Sequence, residues 1–232
     1  MNLLAFDTCF DACSVAAGRR LRSLTPSIAF ATELMSTGQA ERLMPMIESV
    51  MSDACMTFHE LDRIAIASGP GTFTGARIAV AAARALALAT GAAIVPISSL
   101  ELMAMNPRVS IVGAKTLAIA TDARRGEVYF QQFDVRTLQA VAAPAALPVA
   151  QAAAALRKGT TLIAGSGALL VADTARALGH DVIAILADLV PEAIDMLFSA
   201  ASMPIASNVA PLYLRPPDAK PPAPNPLTGI SA

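Results

Sequence analysis

Two stretches in the two halves of the chain follow one plan. In "LLAFDTCFDACSVA" and in "LAIATDARRGEVYF" an apolar strand ends at an aspartate, a short turn follows, and a second strand begins. The spacing from Asp7 to Val15 equals the spacing from Asp122 to Phe130. Two hairpins of one design predict two lobes built from the same unit. The alternative is that any two hairpins look alike.

Between the hairpins, helical and strand patterns alternate. Leu43, Ile47 and Val50 recur at helical spacing and predict a helix over 41–54, with Pro45 either in its first turn or at a kink. A strand in "LDRIAIASG" leads through a glycine-rich loop into a second helix over 74–89, and "AAIVPISS" reads as a further strand. This order predicts a partly parallel sheet with crossover helices, an α/β fold.

The second half gives weaker patterns. Strands are predicted over 162–164 and 182–186, and helices over 171–178 and 191–202. The proline-rich end is predicted to be a disordered tail. The expected division is an N-terminal lobe over 1–105, a C-terminal lobe over 106–215 and the tail over 216–232.

Composition narrows the class of protein. The chain has 232 residues, 55% of them hydrophobic and 15% charged, with a net charge of -1, so it offers no strong field for nucleic acid. Three cysteines without metal spacing suggest reduced thiols, and the N-terminus lacks a basic signal-peptide region. The apolar span 76–96 contains Arg77, Arg84 and Gly91, which argues against a membrane helix. We expect a cytoplasmic protein.

Its two histidines, His59 and His180, are too far apart in sequence to suggest a metal site.

The glycine-rich loop "GPGTFTG" between Gly69 and Gly75 is the first candidate site. It lacks the third glycine of a dinucleotide-binding loop, where Thr74 stands, and the lysine of a P-loop. It is therefore either a tight strand-to-helix turn or a phosphate cradle. Asp7 and Asp122 either flank a cleft and hold a magnesium-bound phosphate or hydrogen-bond to their own turns. The candidate phosphate or nucleotide loops comprise Asp7, Thr8, Gly69, Gly71, Thr72 and Asp122.

The two predicted helices are more apolar than a crossover helix requires, because their small and methionine side chains extend beyond one face. This pattern indicates either a partner interface or a larger intramolecular core. The residues expected at a partner interface are Leu43, Met44, Ile47, Met51, Ile78, Val80, Ala83 and Ala87.

Six segments together resemble one family. They are "LLAFDTCFDACSVA", "AERLMPMIESVM", "IAIASGPGTFTGARIAVAAARALALATG", "VPISSLE", "DARRGEVYFQQFD" and the late "APLYLRPPDAK", and in this order they are similar to the TsaB (YeaZ-type) family. The resemblance covers nearly the whole chain, more weakly over 135–205. It implies the two-lobed α/β fold of the actin-like ATPase, sugar kinase and heat-shock chaperone superfamily, with duplicated RNase H-like lobes.

The resemblance also implies a role in making threonylcarbamoyladenosine beside the anticodon of tRNA. TsaB pairs with a catalytic paralogue, TsaD, and an ATPase, TsaE, joins the complex. By this resemblance the chain would be an accessory subunit without a cofactor or metal. It would form a homodimer when alone and contact tRNA only through the complex. Where TsaD carries an H-x-x-x-H metal motif, this sequence has Ser99 and Met103. The phosphate loops would then be vestigial.

One departure from the TsaB pattern is Gln39, where the family usually has a histidine. Any contact or proton transfer that depends on an imidazole is therefore in question at this position. Two other classes of function stay open, a glycoprotease-like hydrolase and an ATP-binding kinase-like enzyme. The absent metal histidines argue against the first, and the second needs working phosphate loops.

Overall fold

Two five-stranded sheets of the same plan form the frame of the protein, within the residues that the computed structural model describes, 1–109 and 113–215. In each sheet the first three strands form an antiparallel meander, and the fourth and fifth run parallel to the first. The first sheet has the order β3-β2-β1-β4-β5 and the second the order β8-β7-β6-β9-β10. The predicted two-lobed α/β fold is therefore confirmed. The predicted tail over 216–232 lies outside the described residues.

The strands of the first sheet are β1 (Leu3–Asp7), β2 (Ala12–Arg19), β3 (Ser27–Leu34), β4 (Arg63–Ala67) and β5 (Ala93–Ile97). Those of the second are β6 (Thr116–Asp122), β7 (Glu127–Asp134), β8 (Ala145–Pro148), β9 (Thr161–Ala164) and β10 (Val182–Ile185). The α-helices are α1 (Gln39–Asp53), α2 (Phe73–Thr90), α3 (Ser99–Met105), α4 (Val149–Ala154) and α5 (Ala168–Ala177).

The two hairpins agree in loop length but differ in register. Asp7 pairs with Ser14, whereas Asp122 pairs with Val128. The two paired residues of the second hairpin are therefore one residue closer in sequence than those of the first. The second turn is tighter because Arg124 and Arg125 both have positive φ, at 65° and 57°. Glu127 N–H closes this turn by donating to the Arg124 carbonyl at 3.1 Å. Equal sequence spacing therefore hides a one-residue difference in pairing.

Helices α1 and α2 cover one face of the first sheet. Because α1 begins at Gln39, Pro45 lies in its second turn. Of the two predicted alternatives, the place in the first turn is therefore wrong, and a kink stays a prediction. Thr72 caps α2 by accepting the Gly75 N–H, and Gly91 ends it with a φ of 77°. Among the described residues, α2 is the one helix long and apolar enough to cross a membrane by length and composition. Its buried residues pack in the first lobe, as a crossover helix of a globular domain does.

The predicted helix over 191–202 is wrong. A 3-10 turn forms over Ala193–Met196 and further turns follow, held mainly by hydrogen bonds between residues three apart. The apolar spacing suggested a helix because Met196, Leu197 and Ala200 lie on one side, where they cover the first sheet. Ala206 then bridges Ile94 at the edge of β5. This part of the predicted C-terminal lobe thus packs on the first lobe, while the proposed boundary between residues 105 and 106 stays a prediction.

Candidate functional site

A cleft of about 760 Å³ lies between the lobes, where the turns of both hairpins and the start of α2 meet. Of the predicted phosphate-loop residues, Gly71, Thr72 and Asp122 line it. The other walls carry aromatic and arginine side chains, namely Phe10, Phe73, Arg124, Arg125, Tyr129, Tyr213 and Arg215. The structure therefore brings half of the predicted set to one cavity, together with an aromatic lining that the sequence did not suggest.

Asp7 and Thr8 lie behind this wall. Both side chains are fully buried and neither lines the cleft. Asp7 accepts the Cys9 N–H on Oδ1 at 3.2 Å, while Oδ2 is buried without a hydrogen-bond partner. Burial raises the pKa of this carboxyl to about 7, against the lowering effect of hydrogen bonds from Cys9 and Thr8. A carboxyl in this position cannot reach a metal-bound phosphate in the cleft.

The glycine-rich loop packs directly on the turn between β1 and β2. Thr72 N–H donates to the Cys9 carbonyl at 2.7 Å, and Thr8 Oγ1 donates to the Gly75 carbonyl at 2.7 Å. A Cβ on Gly71 would lie 2.3 Å from the Cys9 carbonyl oxygen, and a Cβ on Gly75 would lie 1.9 Å from the Thr8 carbonyl oxygen. The two backbones are thus in contact where a phosphate cradle needs open space and free amides. The geometry favours the tight-turn interpretation of this loop.

Gly69 serves a different contact. Its φ is 114°, and a Cβ there would lie 2.7 Å from the carbonyl oxygen of Leu212. A glycine is required on both counts. Gly69 therefore meets the C-terminal segment of the chain and not a ligand space.

The second aspartate is exposed and lies in the cleft. Asp122 Oδ1 accepts the Arg124 N–H at 2.8 Å, which is the same two-residue contact that Asp7 makes with Cys9. Ser166 Oγ accepts the Asp122 N–H at 2.9 Å. Both aspartates thus stabilise their own turns. Of these two aspartates, only Asp122 lines the cleft, where Asp11 is a second lining carboxyl group.

Replacing Asp7 with Asn should flatten the pH dependence of stability between pH 5 and pH 7.5. The ordinary pKa of 3.8 applies to the unfolded chain, so from pH 5 up to about pH 7 the folded chain holds a proton that the unfolded chain has released. The stability that this bound proton contributes is fully present below the pKa of the unfolded chain and is lost as the pH rises through about 7. The rise of the Asp7 pKa from 3.8 to about 7 corresponds to ~4 kcal/mol in the free energy of unfolding. Of this, ~2–3 kcal/mol is lost between pH 5 and pH 7.5.

Urea unfolding at the two pH values measures this effect. The variant keeps the side-chain shape without a titrating carboxyl, so its free energy of unfolding should fall less than that of the parent chain. Asp122→Asn is the control, because Asp122 is exposed at the end of the matching strand. An unchanged pH slope in Asp7→Asn would contradict the assignment of the buried proton to Asp7.

Ser99 and Met103 lie in α3 and face the interior. They are 0% and 1% exposed, and neither lines the cleft. Ser98 forms the helix cap and accepts the Leu100 N–H at 3.3 Å. Within residues 1–109 and 113–215, no group of three or more His, Cys, Asp or Glu side chains is placed to hold a metal ion. The two positions therefore lack both imidazole ligands and access to the cavity.

Gln39 has a defined structural role. Its amide nitrogen donates to the carbonyls of Phe10 and Met35, at 3.3 and 3.1 Å, and the side chain is 8% exposed. A side-chain amide supplies two N–H donors on one atom, whereas a neutral imidazole has a single N–H. Gln39 thus ties the start of α1 to the turn of the first hairpin without a titrating group.

Most of the predicted partner-interface residues are core residues. Leu43, Ile47, Met51, Val80 and Ala83 are at most 4% exposed and pack in the core of the first lobe. They are not exposed to a partner in the free chain, because the apolar stripes of α1 and α2 cover the sheet and each other. An interface on these helices stays a prediction. Met44 is 38% exposed, and Ile78 and Ala87 are partly buried.

Helix α2 carries an apolar outer face. Leu88 is 90% exposed, and Ala81, Ala85 and Ala89 are exposed beside it. Arg77 and Arg84 border this face, whereas the outer side of α1 is mainly polar. The exposed surplus of apolar residues noted in the sequence therefore lies mainly on α2, with Met44 the exposed large apolar side chain of α1. We use the term α2 outer face for Ala81, Ala85, Leu88 and Ala89.

Sequence analysis assigned no role to Tyr213 and Arg215, although both line the cleft. Tyr213 stacks on Phe73 with ring centroids 5.2 Å apart, and Arg215 pairs with Glu127. The signal that could have found them was the segment "PLYLR", which contributed only to the family resemblance. An aromatic residue and an arginine two apart in a proline-bounded segment suggest an extended anchor.

The duplicated sheets and the cleft between them define a two-lobed α/β protein. The chain matches over residues 30–210 the sequence model of a family described as "TsaD: tRNA N6-adenosine threonylcarbamoyltransferase". It is 34% identical over 132 residues to the Haemophilus influenzae tRNA threonylcarbamoyladenosine biosynthesis protein TsaB, covering 57% of this chain and 53% of that protein. The match thus spans about half the length of this relative.

Two further similarities cover nearly the whole chain. An uncharacterized protein of Mycobacterium tuberculosis is 31% identical over 95% of this chain and 94% of its own length. The solved structure "YeaZ from Pseudomonas aeruginosa" superposes with a TM-score of 0.78 at 29% identity, covering 92% of this chain and 99% of that one. The protein belongs to the TsaB (YeaZ-type) branch of this family.

Proposed function

We propose that this chain is a non-catalytic subunit in the biosynthesis of tRNA threonylcarbamoyladenosine. The observation that carries the proposal is the backbone contact between the glycine-rich loop and the first hairpin, which leaves no phosphate cradle. The buried Ser99 and Met103, where the catalytic paralogue would hold its metal, give further support. The chain then contributes a binding surface and a TsaD-type paralogue supplies the transferase chemistry.

The proposed contact with the paralogue is the α2 outer face. A face of small residues allows close helix packing, and Leu88 supplies an apolar side chain that is 90% exposed in the free chain. In the absence of the paralogue, the same face would bind a second copy. A TsaE-type ATPase joins the paired subunits, and tRNA is bound only by the complex. The site of action is the cytoplasm.

Reconstitution with purified components tests this function. The chain, the paralogue, the ATPase and the threonylcarbamoyl adenylate are combined with tRNA, and modified adenosine is measured by mass spectrometry after nuclease digestion. We expect no product from this chain alone, product from the full mixture, and a loss of at least about tenfold when only this chain is omitted.

Two results would contradict the proposal. Product formed by this chain with the adenylate but without the paralogue would make it an enzyme. Unchanged product when the chain is omitted would remove it from the pathway. The Leu88→Glu variant serves as the matched control. It keeps the fold of the parent chain and changes only the α2 outer face.

A further inference from the structure

The C-terminal segment Leu212–Arg215 crosses the cleft from one lobe to the other. At the first-lobe end, Leu212 N–H donates to the Ser68 carbonyl at 2.7 Å. The Leu212 carbonyl occupies the space that Gly69 leaves by having no side chain. The segment therefore begins with backbone contacts to the strand-loop junction after β4, and these contacts depend on Gly69.

The middle of the segment contacts the first turn of α2. Tyr213 stacks on Phe73 with an interplanar angle of 26°, and the Arg77 guanidinium lies 4.1 Å from the centroid of the Phe73 ring. Tyr213 is 44% and Phe73 is 48% exposed, so the contact forms on the wall of the cleft and not in the core. Aromatic pairs of this geometry stabilise beyond the area they bury.

The far end reaches the second lobe. Arg215 donates to the Ala123 carbonyl at 2.7 Å and to the Arg124 carbonyl at 3.3 Å, and it forms an ion pair with Glu127. Its guanidinium also lies 6.0 Å from the centroid of the Tyr129 ring. The fork of an arginine can donate to several acceptors at once, and here the acceptors belong to the tight turn of the second hairpin.

We propose that Leu212–Arg215 is an interlobe strap, a segment that forms one wall of the cleft and ties the two lobes together. The strap is anchored on the first lobe by Leu212 and Tyr213 and on the second by Arg215. Each lobe supplies acceptors or an aromatic surface that only an extended segment of this length reaches together. The strap fixes the angle between the lobes, independently of whether the α2 outer face binds a paralogue.

The strap also explains the chemistry of the cleft wall. The Ala123 and Arg124 carbonyl oxygens and the Glu127 carboxylate all accept from Arg215. The Arg124 and Arg125 side chains line the same cleft. The acceptor part of this wall therefore suits a guanidinium.

Hydrogen exchange measured by mass spectrometry on the full chain tests the strap. Tyr213→Ala removes a contact with the first lobe only, and Arg215→Ala removes contacts with the second lobe only. If the strap couples the lobes, each variant should raise exchange about fivefold on both walls, in peptides covering 71–77 and 122–129. The opposite wall is the informative one, because the replaced side chain does not touch it. The walls also meet directly where the Tyr129 hydroxyl donates to the Gly71 carbonyl at 3.5 Å, a contact that both variants retain.

Arg19→Ala is the matched control, since Arg19 and Glu60 form an ion pair of similar exposure within the first lobe. It should leave both walls of the cleft unchanged. Exchange that rises only on the wall each side chain touches would overturn the strap. Unchanged exchange in both variants would have the same consequence.

Discussion

Replacing Leu88 with Glu should weaken binding of the TsaD-type paralogue by about a hundredfold or more, with little change in the stability of the free chain. Leu88 is 90% exposed, so the new carboxylate stays in water until the complex forms. In the complex it would be buried without a partner, which costs several kcal/mol, and ~2.7 kcal/mol already corresponds to a hundredfold. Isothermal titration calorimetry measures the affinity, and urea unfolding measures the stability.

Leu24→Glu is the control for this prediction. Leu24 is also fully exposed, but it lies in the loop between β2 and β3, away from the α2 outer face. It should bind the paralogue like the parent chain. If both variants bind equally well, the α2 outer face is not the contact surface. Ile47→Glu is unsuitable for this purpose because Ile47 is a core residue, and the change would unfold the chain.

Replacing Gly75 with Ala should destabilise the chain by about 4 kcal/mol and lower its melting temperature by roughly 10 °C. In an open helix this change would stabilise by up to ~1 kcal/mol, since alanine has the higher helix propensity. Here the added Cβ would lie 1.9 Å from the Thr8 carbonyl oxygen, which belongs to the backbone and cannot rotate away. The clash therefore outweighs the propensity by a wide margin.

Calorimetric melting measures this loss, with Thr74→Ala as the control in the same helical turn. Thr74 is exposed, so its replacement should change the melting temperature by no more than a few degrees. A Gly75→Ala variant that melts with the parent chain would show that the loop and the hairpin turn are not in contact. The tight-turn interpretation of the glycine-rich loop would then fail as well.

The sequence was sufficient for the fold because the relevant signals are local and repeated. The two strand-aspartate-turn patterns predicted the duplicated hairpins, and Thr72 and Gly91 delimit α2 as capping residues should. The segment over 191–202 misled because apolar spacing that suits a helix also suits a run of 3-10 and other turns lying on a sheet. Periodicity reports which side is covered and not which backbone covers it.

The site was less predictable because it depends on which of two surfaces covers an apolar stripe. Ile47 and Val80 have the same residue types whether a sheet or a partner buries them, and only the structure assigns them to the core. Asp7 and Asp122 end equivalent strands, yet one is buried and the other is exposed. That difference arises because the first hairpin contacts the glycine-rich loop. These two segments are far apart in sequence.

The closure between that loop and the first hairpin is made by main-chain atoms. Thr8 and Cys9 contribute carbonyl oxygens, and Gly71 and Gly75 contribute the absence of a side chain. No exchange of side chains at Asp7, Thr8 or Cys9 removes those carbonyls. An engineer who wished to give this scaffold a working nucleotide site would therefore have to rebuild the hairpin turn with a different length or path, because point substitutions leave the obstruction in place.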